Sequence, residues 1–221
     1  MKKEIITTAD RSTSIYLPDW EETYHSKHGA IQEAYHVFIS HGLDLFEGKN
    51  VSVLEIGFGT GLNAFISFLE SKKKTQNIDY VAVEAFPISA DEVLKMNYVS
   101  VLNAENERTY FEKIHQCKWE EKTEINSNFN LTKRNQLFEN IDDIEQFDLI
   151  YFDAFGYRVQ PELWSLDIFQ KMYNSLKNNG VLVTYAARGV IKRNMIEAGF
   201  TVEKLPGAPG KREMMRGKKS I

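Results

Sequence analysis

The sequence predicts an α/β protein with a doubly wound, mostly parallel sheet of seven strands. Short apolar runs rich in β-branched residues alternate with segments of helical periodicity along most of the chain. The first strong run, Val51–Ile56, leads into a glycine-rich turn and then an apolar helix, the arrangement that doubly wound folds use to bind ligands. With 221 residues, of which 43% are hydrophobic, the chain can form one domain with a substantial core.

The N-terminal part, residues 1–46, is predicted to be an extension of short strands and one helix that packs on the core. Residues 4–20 have the pattern of short extended segments separated by turns, and residues 30–46 have the apolar spacing of an amphipathic helix. A polar segment between them carries Tyr24 and His25.

The core, residues 47–221, is predicted to contain seven strands and the helices between them. The predicted strands are residues 51–56, 78–84, 129–132, 147–153, 181–186, 200–205 and 212–215. The predicted helices are residues 62–69, 88–97, 105–116, 166–176 and 188–198, with Ser165 as an N-cap and Gly199 as a C-cap. The polar residues 117–127 are expected to form a loop, and residues 178–180 a turn.

Three glycines, Gly57, Gly59 and Gly61, follow the first core strand. Glycine lets the backbone turn with positive φ and lets a ligand approach main-chain atoms, and the helix start that follows offers free N–H groups. The spacing is one residue shorter than the dinucleotide fingerprint, and a carboxylate at Glu55 would repel a pyrophosphate. We therefore expect S-adenosylmethionine (SAM), which has a sulfonium and ribose hydroxyls but no phosphate. NAD, FAD and a turn without any ligand are the alternatives.

Three predicted strands end in an acidic residue, namely Glu55, Glu84 and Asp153. Because ligands bind at the carboxyl ends of the strands in such sheets, we expect these acids to converge on one crevice. Glu84 follows the glycine turn by about the 20 residues at which doubly wound folds place a carboxylate on ribose hydroxyls.

Asp153 is the candidate catalytic residue. A carboxylate at this position could orient an amine that accepts a methyl group and take up its proton as a general base. It could instead serve only to bind the methionine amino group or the acceptor. The adjacent Phe155 and Tyr157 could stack on a base, or they could simply pack on the sheet edge.

Composition disfavours several classes of protein. The sequence has no apolar stretch of about 18 residues and no signal-peptide core, so neither a membrane span nor export is expected. The single cysteine, Cys117, permits neither an internal disulfide nor a cysteine metal site, and His25 and His28 lack suitable metal-binding partners. We expect a cytoplasmic protein that binds no metal.

Charge is unevenly distributed along the chain. Residues 204–221 contain six basic residues and one acid, whereas the rest of the chain contains 21 basic and 30 acidic residues. A basic end on an acidic body fits a local patch that contacts phosphates, although a solvated terminus without a partner gives the same pattern.

Four spaced motifs resemble one known family. They are Glu55–Asn63, Glu22–Ser26 with Gly29-Ala30, Asp153–Phe155 with Pro161–Trp164, and Ala198–Phe200 leading to Gly210–Met214. Together they resemble the methyltransferase half of the bifunctional MnmC enzymes, which also occurs as a standalone form called MnmD. The resemblance extends over about residues 7–217, nearly the whole chain.

The resemblance implies a class I SAM-dependent methyltransferase with a Rossmann-like fold. The implied reaction methylates the aminomethyl group of 5-aminomethyl-(2-thio)uridine at tRNA wobble position 34. Transferred by motif, the implied cofactor-binding residues are Glu55, Gly57, Phe58, Gly59, Gly61, Asn63, Glu84, Asn135 and Asp153. The implied catalytic residues are Asp153, Phe155, Tyr24 and His25, and the implied RNA-binding residues are Arg158, Lys211 and Arg212.

The chain departs from the family pattern in three places. Arg134-Asn135 stands where Gly-Asp is usual, so Asn135 would meet adenine as a neutral group, and residues 156–160 differ after Phe155. The chain also ends at residue 221, so no fused FAD-dependent oxidase domain is expected. A SAM methyltransferase for another RNA or a small amine, and a non-catalytic RNA- or protein-binding module, remain alternative functions.

Overall fold

The computed structural model describes residues 2–220 and contains a large central sheet of eight strands and a small sheet of three. The small sheet consists of β1 (Glu4–Thr7), β2 (Thr13–Leu17) and β3 (Glu22–Thr23). The strands of the central sheet are β4 (Val51–Ile56), β5 (Ile78–Val83), β6 (Lys122–Asn126), β7 (Phe129–Arg134), β8 (Phe147–Phe152), β9 (Leu176–Thr184), β10 (Thr201–Pro206) and β11 (Glu213–Lys218).

The central sheet has the order β10-β11-β9-β8-β4-β5-β7-β6. The five strands from β9 to β7 run parallel, whereas β6, β11 and β10 are antiparallel to their neighbours. The chain builds outward from β4 to β7 and then crosses back to place β8 on the other side of β4. The strand order therefore reverses between β4 and β8, which is where ligands bind in sheets of this type.

Helices cover both faces of the central sheet, which confirms the doubly wound α/β prediction. They are α1 (Ala30–Ala34), α2 (Leu62–Lys74), α3 (Ala90–Val93), α4 (Tyr98–Val101), α5 (Arg108–Gln116), α6 (Leu166–Ser175) and α7 (Gly189–Glu197). Successive side chains of β4 enter different clusters, since Val53 packs with α2 on one face and Leu54 packs with α6 and α7 on the other. This alternation is the period of two expected for a strand buried on both faces.

The N-terminal segment shares the core on the α2 face. Ile15 of β2 and Phe38 are 0% and 2% exposed and belong to the same apolar cluster as Phe65 of α2. The predicted helix over residues 30–46 is interrupted: α1 continues as a π-helical segment, Tyr35–Ser40, and a separate 3₁₀ turn follows at Leu43–Phe46.

Three predictions about the elements are wrong in detail. The sheet has eight strands rather than seven, because residues of the predicted loop 117–127 form β6 and pair antiparallel with β7. The predicted turn at 178–180 lies within β9 as an irregularity, with Asn179 at φ +65°. Only the short helix α3 forms within the predicted helix over 88–97, and α4 begins after that range, at Tyr98.

Both predicted helix caps are confirmed. The side chain of Ser165 accepts a hydrogen bond from the backbone N–H of Ile168 at the start of α6, and Gly199 follows α7 with φ +110°. Within residues 2–220, no helix combines the length and apolarity needed to cross a membrane.

Candidate active site

A cavity, called the main cavity below, opens at the carboxyl ends of β4 and β8. Its wall includes the glycine turn after β4, the start of α2, the residues after β5 and β8, and the N-terminal segment. The side chains that line it are Trp20, Thr23, Tyr24, His25, Phe58, Leu62, Asn63, Glu84, Ala85, Phe86, Leu137, Phe138, Asp153, Ala154, Phe155, Gln160, Leu163 and Tyr185.

Gly57 lets the glycine turn lie against the end of β8. Its φ is +93°, and a Cβ on this residue would lie 2.6 Å from the backbone carbonyl oxygen of Asp153. Any side chain would therefore separate the turn from the candidate catalytic acid.

The carboxylate of Glu84 holds two backbone segments together at the cavity wall. Its Oε2 accepts a hydrogen bond from the N–H of Gly59 at 3.0 Å, and its Oε1 accepts one from the N–H of Phe86 at 2.9 Å. Each carboxylate oxygen can accept further bonds, so Glu84 can still receive hydroxyl donors from a ligand in the main cavity.

Asp153 lies at the base of the main cavity, where its Oδ2 accepts a hydrogen bond from Asn63 Nδ2 at 2.9 Å. Burial raises the pKa of Asp153 to about 7, and the charge of Glu33 adds to this rise while Asn63 and Lys211 oppose it. Near neutral pH this carboxyl group can therefore both accept and release a proton.

Glu55 lies beneath the main cavity and is not part of its wall. It is 0% exposed, and neither carboxylate oxygen has a hydrogen-bond partner within the described residues. Asn63 Oδ1 and the Tyr80 hydroxyl, which are also buried, likewise have none. Burial, followed by the charge of Asp153, raises the pKa of Glu55 well above its usual value, so its protonated form is favoured in the folded protein. Of the three strand-end acids, only Glu84 and Asp153 meet in the cavity.

Replacing Glu55 by glutamine should reduce the loss of folding stability that the protein shows as pH rises. The pKa of Glu55 is higher in the folded than in the unfolded chain, so its contribution to stability is complete below the unfolded pKa and is lost as pH rises through the folded pKa. Urea unfolding at pH 5.5 and pH 8 should show that Glu55→Gln gains stability relative to the wild type as pH rises. The exposed Glu112→Gln is the control, and a Glu55→Gln difference that does not change with pH would contradict the raised pKa of Glu55.

The N-terminal segment supplies an aromatic wall to the main cavity. The ring of Phe155 packs edge-to-face on Trp20 and Tyr24, with centroids 5.6 and 5.0 Å apart. This aromatic wall, formed by Trp20, Tyr24 and Phe155, lies beside Asp153. Burial, with smaller contributions from Glu84 and Glu92, raises the pKa of Tyr24, so its hydroxyl keeps its proton.

His25 joins the N-terminal segment to the glycine turn. Its Nδ1 lies 3.1 Å from Ser14 Oγ, and its Nε2 lies 3.4 Å from Thr60 Oγ1. Burial lowers the pKa of His25 to about 4, although the charges of Glu33 and Asp10 oppose the shift. The imidazole is therefore neutral at neutral pH, which suits a structural or hydrogen-bonding role rather than proton donation.

Other predicted site residues lie next to the main cavity rather than in its wall. Gly61, with φ +71°, is the N-cap of α2 and packs over His115. The side chain of Asn135 donates to the backbone carbonyls of Glu84 and Ala85 at 2.8 and 3.3 Å. In this arrangement Asn135 supports the turn that carries Glu84. Its predicted contact with adenine stays a prediction.

Arg158, Lys211 and Arg212 line a second cavity that shares Tyr185 with the main cavity. Tyr185 was not among the residues predicted from the sequence. It follows β9 directly, so the strand-end rule that selected Glu84 and Asp153 could have found it. Its hydroxyl donates to the carbonyl of Ala154 at 2.8 Å, and the residue lines both cavities.

The main cavity fits a cationic nucleoside better than a dinucleotide. Its charged lining residues are the acids Glu84 and Asp153, and no lysine or arginine is among the described residues that line it. These two carboxylates would repel a pyrophosphate, whereas a sulfonium, an amino group and ribose hydroxyls would meet acceptors. The apolar residues Leu62, Phe86 and Leu137 supply a surface for a flat base.

Comparison with known proteins agrees with this chemistry. The family model for S-adenosyl-L-methionine-dependent methyltransferases matches residues 100–220. The bifunctional tRNA 5-methylaminomethyl-2-thiouridine biosynthesis protein MnmC of Burkholderia multivorans is 26% identical over 92% of this chain and 33% of its own length. The MnmC protein of Leptospira borgpetersenii is 28% identical over 99% of this chain and 34% of its own length. The chain thus spans about a third of these curated relatives.

Solved structures share the fold. MNMC2 from Aquifex aeolicus aligns with a TM-score of 0.79 and 22% identity over 100% of this chain and 71% of its own. Spermidine synthase from Thermotoga maritima aligns with a TM-score of 0.54 and 12% identity over 100% of this chain and 72% of its own. The family model covers more than half of the chain, and the chain therefore belongs to the S-adenosyl-L-methionine-dependent methyltransferases.

Proposed function

We propose that this protein methylates the exocyclic primary amine of 5-aminomethyl-(2-thio)uridine at wobble position 34 of tRNA, in the cytoplasm. The observation that carries the proposal is the position of Asp153, a base with a pKa of about 7 between the glycine turn and an aromatic wall. The MnmC relatives, which align with 92% and 99% of this chain, are named for the biosynthesis of 5-methylaminomethyl-2-thiouridine in tRNA.

The residues around the glycine turn would hold SAM. Glu84 would accept hydrogen bonds from the ribose hydroxyls, and the backbone of Gly57 and Gly59 would lie against the ligand without a Cβ between them. When bound, SAM supplies a methyl group from its sulfonium, and the remainder of the cofactor leaves as a neutral thioether.

Asp153 would prepare the amine for the transfer. Its carboxylate accepts a hydrogen bond from the acceptor nitrogen, directs the lone pair of that nitrogen toward the methyl group, and takes up the proton that the nitrogen must lose. Asn63 fixes the carboxylate through the 2.9 Å hydrogen bond to Oδ2 and leaves Oδ1 for the substrate.

The aromatic wall would receive the uracil ring. Trp20, Tyr24 and Phe155 offer apolar faces and edges on which an unstacked base can pack, and they exclude water from Asp153. A wobble base in an anticodon loop is single-stranded, so turning it into the cavity costs less than extruding a base from a duplex.

Incubation with SAM and tRNA carrying 5-aminomethyl-2-thiouridine should give the 5-methylaminomethyl nucleoside, detected by mass spectrometry after digestion. The same tRNA without the aminomethyl group is the control and should remain unmodified. SAM binding by calorimetry without product on this tRNA would contradict the proposal and favour another amine acceptor. Absence of SAM binding would leave only a non-catalytic role.

A further inference from the structure

The second cavity has the opposite charge to the main cavity that it adjoins. It lies between the loop at residues 156–158, residues 185–188 after β9, and residues 211–213. Its lining contains the four cationic side chains Arg158, Arg188, Lys211 and Arg212, against the two acids Glu22 and Glu213. The sign of charge therefore changes across a single shared residue, Tyr185.

The cations of the second cavity differ in how fully they are already paired. Lys211 forms an ion pair with the buried Glu33, and its Nζ lies 3.8 Å from the centroid of the Tyr185 ring. Arg158 donates to the backbone carbonyls of Trp20 and Glu21 at 2.9 and 3.2 Å. The contacts of Lys211 with Glu33 and of Arg158 with Trp20 and Glu21 join the second cavity to the N-terminal segment. They occupy part of the hydrogen-bonding capacity of these two cations.

Arg188 and Arg212 remain available for a ligand. Both side chains are exposed, and neither forms an ion pair within residues 2–220. Glu213, the acid next to Arg212, is paired with Lys204 at 2.6 Å. The excess positive charge of the second cavity is therefore carried by two arginines, whose planar guanidinium groups match phosphate geometry.

Arg188 also forms part of a surface for stacking. Its guanidinium carbon lies 5.6 Å from the centroid of the Tyr157 ring, within the range of a cation–π contact. An aromatic ring and a guanidinium plane are the two groups on which proteins stack unpaired RNA bases, and their combination with phosphate-binding cations is typical of single-strand sites.

If the substrate is RNA, the acidic main cavity requires a cationic surface beside it. A base that enters beside Glu84 and Asp153 carries negatively charged phosphates, which those carboxylates repel. The favourable route for the RNA backbone leads past Tyr185 to the arginines of the second cavity.

We propose that the second cavity is a subsite for the nucleotide next to the methylated one, with Arg188 and Arg212 on its phosphate and Tyr157 on its base. The proposal rests on the proposed function for the acceptor and adds residues that determine how the RNA is held. Arg188 and Tyr157 lie outside the main cavity, so they should affect RNA binding and leave SAM binding unchanged.

The test is binding of an anticodon stem-loop carrying 5-aminomethyl-2-thiouridine, measured by fluorescence anisotropy over a range of salt concentrations. Arg188→Ala should weaken RNA binding about 5- to 100-fold. The slope of the logarithm of the binding constant against the logarithm of the salt concentration should become shallower by about 0.7 for each lost phosphate contact. Tyr157→Ala should also weaken binding, whereas Tyr157→Phe should retain most of it. Arg108→Ala is the matched control, because Arg108 is an exposed arginine at the start of α5, outside both cavities.

A second arm replaces single phosphates. An uncharged methylphosphonate on one side of the reacting nucleotide should weaken binding to the wild type. It should weaken binding to Arg188→Ala less, because only Arg212 then contacts that phosphate, and it should cause no further loss in the double variant Arg188→Ala/Arg212→Ala. Equal RNA affinity of Arg188→Ala and Arg108→Ala would overturn the subsite. The same conclusion would follow if the losses from Arg188→Ala and from the methylphosphonate were fully additive at both flanking phosphates. Absence of methylated nucleoside with the wild-type protein would instead contradict the proposed function, and the binding comparison would still decide the subsite. SAM affinity, measured by calorimetry, verifies that each variant is folded.

Discussion

Asp153→Asn should reduce kcat/KM for methyl transfer by about 10²- to 10⁴-fold, which is the range for loss of a general base. Asparagine has nearly the same shape and can still accept the 2.9 Å hydrogen bond from Asn63, but it cannot take a proton from the amine. The measurement is single-turnover methylation of tRNA carrying the aminomethyl group, together with SAM affinity by calorimetry. Asp142→Asn, at an exposed position outside the main cavity, is the matched control.

The SAM affinity of Asp153→Asn separates the two roles that the sequence left open. A general base at the acceptor leaves SAM binding within a few-fold of the wild type, whereas a group that holds the methionine amine loses affinity and rate together. A parallel loss of both would therefore refute proton transfer as the main role of Asp153.

The pH dependence of the wild type gives an independent check of Asp153. Burial raises its pKa to about 7, so the free enzyme holds this residue largely protonated below that pH. Only the deprotonated form can accept a proton, so kcat/KM should fall about tenfold per unit of pH below 7. Asp153→Asn should lose this acidic limb while keeping any limb that the amine substrate contributes.

Much of the cofactor half of the site was predictable because it depends on local sequence. A buried strand, a glycine turn and an apolar helix are contiguous, so Val51–Ile56 and the first part of α2, residues 62–69, follow from periodicity and glycine spacing alone. The structure extends α2 to Lys74. The acids at the ends of β5 and β8 follow from the rule that ligands bind at the carboxyl ends of parallel strands. Glu84 and Asp153 do meet in the main cavity.

The rule about strand ends did not predict where the side chain of Glu55 points. Glu55 lies inside β4, one residue before its end, and it points into the core beside Tyr80. Because side chains alternate along a strand, Glu55 lies on the same face of β4 as Val53. Whether that position faces the core or the cavity depends on how β5 and β8 pair with β4, which the local sequence does not specify. Burial of this kind raises the pKa of the carboxyl group and disfavours its charged form.

Strand β6 and the second cavity depend on contacts with other parts of the chain, so the sequence did not predict them. Strand β6 has mostly polar residues and forms only because β7 offers an edge to pair with, so its sequence resembles a loop. The second cavity joins residues 22, 156–158, 185–188 and 211–213, which are far apart in the chain. Arg188 could be recognised as a candidate only after the fold had brought it beside Tyr157.

Glu84→Ala should reduce SAM affinity by about 10²- to 10⁴-fold. Two hydrogen bonds from ribose hydroxyls to a carboxylate contribute about 1.5–3 kcal/mol each, and tenfold in affinity corresponds to about 1.4 kcal/mol. The substitution also removes the acceptors for the N–H groups of Gly59 and Phe86, so part of the loss could come from a displaced glycine turn. Calorimetry with SAM measures the total, and Glu112→Ala, an exposed glutamate on α5, is the matched control.

A ligand that lacks the ribose hydroxyls separates these two causes of affinity loss in Glu84→Ala. Wild-type protein should bind S-adenosylhomocysteine much more tightly than its 2′,3′-dideoxy analogue, whereas Glu84→Ala should bind the two almost equally. If the variant still discriminates as strongly as the wild type, the ribose is held by another group and Glu84 acts only through the turn. Glu84→Gln tests the charge, because its side-chain oxygen can still accept one of the two N–H groups while the carboxylate is lost. If the SAM affinity of Glu84→Gln lies between those of the wild type and Glu84→Ala, the difference between the wild type and Glu84→Gln is due to the negative charge that the ribose hydroxyls meet.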